Sequence, residues 1–135
     1  MISEQNLKII AFNKFEDAKI LFNANRYDSS LYLVGYSIEI ALKSKICYVL
    51  KLDKGFPENK EEFNDYVKSS DNELGGVIKQ LSDIRTHNLG KLLFYSGQEY
   101  VVKEELFAEW IEILYWNPEL RYNLKIGDRN YNEKK

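Results

Sequence analysis

The stretch from Ser29 to Leu52 constrains the fold more than any other part of the chain. Leu31, Leu33, Val34, Ile38, Ile40, Ala41, Leu42, Ile46, Val49 and Leu50 put apolar side chains nearly all round a helix of that length. Such a helix has to be covered on most sides, which makes it the expected centre of a helical assembly. One line interrupts the pattern. Tyr32, Tyr36, Glu39 and Lys43 are spaced by four, three and four residues, so they share one narrow, polar-tipped stripe.

A first helix is expected ahead of it. From Ser3 onward Leu7, Ile10, Ala11, Phe15, Ala18, Leu21 and Phe22 recur every three or four residues, the period of one helix face. Asn23 to Arg26 breaks that period, and Asp28 or Ser29 can cap the next helix by accepting a bond from a free backbone N–H. Helices joined by so short a connection become antiparallel neighbours.

Between about 53 and 83 the sequence reads as an acidic surface insertion, with Gly55, Pro57, Glu58, Glu61, Glu62 and Asp65 followed by Ser69 to Asn72. Phe63, Tyr66 and Val67 would make one short turn there; Leu74, Val77, Ile78, Leu81 and Ile84 would make a better amphipathic helix. A third bundle helix is expected from Thr86 or His87 through Tyr95, with Leu89, Leu92 and Leu93 inward and Ser96-Gly97 as its stop. The fourth should run from about Val102 to Trp116, burying Leu106, Phe107, Trp110, Ile113 and Leu114. Beyond Pro118 apolar and polar residues alternate, and about 127 to 135 reads as a polar tail. The expected fold is therefore all-α, an up-and-down antiparallel bundle of four to five helices in a single domain over residues 1–135.

Composition narrows the functions available. Nineteen basic residues against 21 acidic ones give a net charge of −2, so any nucleic-acid contact has to be local. With one His and one Cys the usual zinc sets cannot be assembled, and no Gly-rich phosphate loop is present, so no cofactor or metal is expected. Cys47 lies in an apolar helical run where a thiol behaves as a small hydrophobe, and a lone cysteine suits a reducing compartment. The expected location is the cytoplasm, without a leader or membrane span. Ten tyrosines, seven phenylalanines and two tryptophans favour a tyrosine-rich core or a half-buried groove.

Few side chains could carry chemistry. Glu39 and Lys43 are an acid and a base one turn apart on a very hydrophobic helix, where both charges require partners. The plain reading is an ion pair that anchors neighbouring helices, through Arg121; the functional reading is a pocket. His87, between Thr86 and Asn88 at a helix start, is a cap, a satisfied core group or a proton-exchanging group. Arg121 beside Tyr122 could grip a phosphate or carboxylate with two donors.

Several segments together resemble the HEPN family: Asn25 to Ser30, Gly35 to Lys43, Thr86 to Leu89 with Leu92, and Trp116 to Tyr122. The resemblance covers most of the chain outside the acidic insertion. It implies a small antiparallel helical bundle that forms a homodimer and works in toxin–antitoxin, antiphage or nucleotidyltransferase-associated systems. Many members are metal-independent endoribonucleases that pool an Arg and a His, four to six residues apart, at the dimer interface. Here the positions at that distance after Arg121 are Lys125, Ile126 and Gly127. The resemblance therefore implies a non-catalytic or atypical domain that binds a nucleotide, RNA or a protein partner such as a nucleotidyltransferase, through Tyr36, Glu39, Lys43, His87, Arg121 and Tyr122. The alternatives are an endoribonuclease with His87 and Arg121 as catalytic residues, and an antitoxin-like or scaffold module.

Overall fold

In the computed structural model, residues 1–69, 84, 86–106 and 108 are described. Among them are five helices and no strand, only a single antiparallel bridge between Ile2 and Phe56. The helices are α1 (Glu4–Asn23), α2 (Tyr27–Val49), α3 (Lys60–Ser69), α4 (Leu89–Tyr95) and α5 (Glu99–Glu105). None of the helices among these residues is long and apolar enough to cross a membrane.

Ser3 starts α1 as expected: its side chain accepts from the backbone N–H of Asn6 at 3.1 Å, and Glu4 follows in the first turn. α2 begins at Tyr27, earlier than the capping signals suggest. Neither Asp28 nor Ser29 caps it; Arg26 holds the cap position without a side-chain bond. The reversal is instead held by contacts across the turn, with the Phe22 and Tyr27 rings edge-to-face at 5.3 Å and the Tyr27 hydroxyl donating to Asn25. Asn25 takes φ 64°, the left-handed conformation that Asn tolerates better than most residues.

α1 and α2 meet along a seam of small residues. Ser30 Oγ donates to the Ala18 carbonyl at 2.8 Å, Ser37 Oγ to Ala11 at 2.7 Å and Ser44 Oγ to Glu4 at 3.1 Å. The positions step by seven up one helix and by seven down the other, which fixes the pair as antiparallel. Seven residues is two turns, so each serine returns to the same face. Short side chains there let the backbones approach closely, and every hydroxyl removed from water has an acceptor. α2 is thus less uniformly apolar in its packing than expected: Ile40, Ile46 and Cys47 are buried, while Ala41 and Val49 are exposed. On α1 the buried line is Leu7, Ala11 and Ala18; Phe15 and Phe22, expected inside, are 45% and 58% exposed because they sit on the flank of this close seam.

The core continues beneath α2. Leu89, Leu92 and Leu93 of α4 are fully buried as expected, with Asn88 as the cap, accepting from Lys91 N at 3.0 Å. Ser96 and Gly97, the latter at φ 75°, end the helix. The segment expected to be a surface insertion contributes as well: Phe56, Phe63 and Tyr66 are buried in the same cluster. α3 is longer than one turn, and the Tyr66 hydroxyl donates to the Gly55 carbonyl at 2.6 Å. Gly55 itself, at φ 111°, lies against the backbone of Ile2, where an added Cβ would stand 2.6 Å from the carbonyl oxygen. α5 starts at Glu99 rather than Val102, and Leu106, expected inside, is its exposed C-cap. An acidic first turn and the Glu99–Lys103 pair at 2.7 Å favour the earlier start. The readings for Leu74 to Leu81, for Phe107 to Trp116 and for everything after Pro118, the tail at 127–135 included, lie outside the described residues.

Candidate functional site

The α2 stripe gives the site its first three side chains. The turn-by-turn spacing from Tyr32 to Lys43 holds in the structure, with the Tyr32 and Tyr36 rings tilted together at 6.0 Å. Glu39 is 2% exposed, an uncommon burial for a carboxylate, and both its oxygens are engaged. Lys43 Nζ donates to Oε2 at 3.1 Å, and His87 Nδ1 lies 2.8 Å from Oε1. One bond is intrahelical; the other crosses from α2 to the segment just before α4.

That segment has its own local order. Asn88 N donates to Thr86 Oγ1 at 3.0 Å while the Asn88 side chain caps α4. The cap function expected for His87 therefore falls to Asn88, and the imidazole is free to turn towards Glu39. An ionised carboxylate only accepts, so Nδ1 donates and Nε2 is left for other partners. The His87 side chain is 64% exposed, whereas Lys43 is 17% exposed.

These groups line a cavity of about 440 Å³. Its polar half consists of Tyr36, Glu39, Lys43, Glu58, Thr86 and His87. Ile2, Leu7, Ile10, Ile40, Phe56 and Pro57 make the apolar half. The Lys43 ammonium also stands 5.3 Å from the centre of the Phe56 ring, a cation–π contact at the junction of the two halves. Phe56 is fixed by its bridge to Ile2, with Phe56 N donating to the Ile2 carbonyl at 2.8 Å. Glu58, on the rim, faces the Met1 amino group at 3.7 Å, and that amine also pairs with Glu62.

Of the six residues expected to form a pocket, four meet here: Tyr36, Glu39, Lys43 and His87. Arg121 and Tyr122 lie outside the described residues. No family model, curated protein or solved structure matches this chain.

Its own geometry is what defines the site. Ile2, Phe56, Glu58 and Thr86 belong to it although sequence reasoning passed over them. Gly55 and Pro57 around Phe56 were the one available hint, since that punctuation marks a fixed turn as readily as a loose loop. Among the described residues no group of three His, Cys, Asp or Glu side chains stands close enough to hold a metal ion. Cys47 is buried away from the cavity, and burial pushes its thiol up to about 12, the opposite of what a nucleophile needs. Chemically, then, the site offers an ammonium, a carboxylate-oriented imidazole, hydroxyls and an aromatic–aliphatic wall.

Proposed function

We propose that the chain is a HEPN-like helical bundle that binds a nucleotide or an RNA end in the cavity between α2 and the segment before α4. The observation that carries this reading is the buried carboxylate of Glu39, the one such group among the described residues, which holds Lys43 and His87 together at one wall. A carboxylate in that position orients cationic and proton-bearing donors towards an anionic ligand, while the half-buried Tyr36 supplies a ring face for a base. Arg121 and Tyr122 complete the ligand-binding set under this reading. The domain acts in the cytoplasm as a homodimer, without a metal or other cofactor, and is paired with a nucleotidyltransferase or another protein partner.

Calorimetric titration with nucleotides and short single-stranded RNAs tests it. Wild-type protein should bind at least one of them, and Lys43→Ala should weaken that binding about tenfold or more. A protein that binds none of them at millimolar concentration refutes the proposal.

The 2.8 Å contact between Glu39 and an open imidazole favours a second reading. A histidine whose Nδ1 is held by a carboxylate can exchange a proton through Nε2, and Arg121 would then stabilise the charge of a phosphoryl transition state. As a metal-independent endoribonuclease, the protein should lose RNA cleavage on His87→Ala and on Arg121→Ala. Cleavage that survives both changes excludes these residues as catalysts.

A further inference from the structure

We infer that the ligand of this cavity carries a phosphate monoester, and that seating it takes up a proton at His87 Nε2; this deepens the nucleotide-binding reading and rests on it. Size limits the ligand first. About 440 Å³ is near the lower end of the ~300–1,000 Å³ of ligand pockets, enough for one nucleotide unit and too small for a folded RNA segment. The two halves of the lining match the two halves of such a unit, with a base against the half-buried Tyr36 and Ile10 and a phosphate towards Lys43 and His87.

Charge then decides the protonation. Of the titratable groups facing the cavity, α2 contributes Tyr36, Glu39 and Lys43, the segment after it Glu58, and the segment before α4 His87; α1 contributes only the apolar Leu7 and Ile10. Lys43 is the one permanently positive side chain among these lining residues, and one of its donors is committed to Glu39. Glu58 is turned to the Met1 amine. Since the Met1 ammonium is already shared by Glu58 and Glu62, a phosphate dianion brought to this wall would find only the Lys43 ammonium, itself paired with Glu39. His87 supplies the missing charge: with Nδ1 held by Glu39, a proton taken from solvent at Nε2 makes an imidazolium that donates to Glu39 on one side and to the phosphate on the other. A diester gains less from this arrangement, because it carries one negative charge instead of two.

The monoester could be free or the phosphorylated end of an RNA, and the same chemistry serves both. The test is titration calorimetry at pH 7.5 in buffers of different ionisation heat, using a nucleoside, its 5′-monophosphate, inorganic phosphate, and one short RNA with and without a 5′-phosphate. The monophosphate should bind about tenfold or more tightly than the nucleoside, with net proton uptake. His87→Gln, exposed enough to fold and able to donate to Glu39, should abolish the uptake and most of the preference. If the phosphorylated RNA is preferred over the hydroxyl-ended RNA to the same degree, the ligand is a chain end; if only the free monophosphate shows the preference, it is a mononucleotide; either supports the inference. Nucleoside and monophosphate binding equally well, or with no proton uptake, overturns the inference and leaves nucleotide binding standing. No binding by any of the five overturns both.

Discussion

Glu39 and His87 are hydrogen-bonded to each other, yet replacing them should have unequal consequences. Glu39→Ala leaves the ammonium of Lys43, which is 17% exposed, without its acceptor in a largely apolar setting. Breaking such a pair costs about 2–4 kcal/mol, towards the lower side of the fully buried case because Lys43 retains some access to water. His87→Ala removes a ring that is mostly in solvent, and should cost under about 1 kcal/mol. Urea unfolding of the two variants checks this; equal losses would mean that Glu39 does not depend on burial. The intrahelical half of the site was readable in the sequence, because an acid and a base four residues apart on an apolar helix have to face one another. The His87 half was not. Forty-eight residues separate it from Glu39, and no local signal encodes that contact. Phe56 and Ile2 escaped for the same reason, since their pairing is one isolated bridge without the alternation that marks a strand.

At the level of the helices, the α1–α2 seam predicts an asymmetry between two substitutions at one position. Ser37→Ala keeps the small volume and loses one hydrogen bond to the Ala11 carbonyl, a change of about 1 kcal/mol. Ser37→Leu forces a branched side chain between closely packed backbones and should cost at least a further ~1–3 kcal/mol. Chemical denaturation of the pair decides it, and a Leu variant as stable as the Ala variant would show that the seam is not tight. The helices themselves were legible where the apolar period was regular. Leu7 and Ala11 in α1, and Leu89, Leu92 and Leu93 in α4, are such cases. The seam was not read from the sequence, because small polar residues do the packing there and Ser30, Ser37 and Ser44 carry no apolar signal, although their spacing of seven was there to be seen. Phe15 and Phe22, in turn, look like core and lie on its flank.

At the scale of the whole molecule, two buried acids among the described residues work against the fold at alkaline pH. Burial pushes the Cys47 thiol and the Tyr66 phenol up to about 12. The unfolded chain would release these protons near the ordinary ~8.5 and ~10. From about pH 8.5 upward the unfolded state therefore binds fewer protons than the folded one, and stability falls until both groups ionise near 12; below pH 8 they contribute no slope. Melting temperatures between pH 7 and 11 should stay level and then decline, with a shallower decline in Cys47→Ala and Tyr66→Phe. An alkaline limb unchanged in both variants would assign the decline to other groups. A last property of the whole follows from the serine seam. Because its contacts repeat every two turns, the seam is a ladder with interchangeable rungs: sliding one helix by seven residues would re-pair two of the three hydroxyls. The zipper alone cannot choose its alignment. That choice belongs to the hairpin's hinge at Ala24 to Arg26, which is too short to pay out any slack, so a lengthened hinge would free the two rods to settle one notch apart.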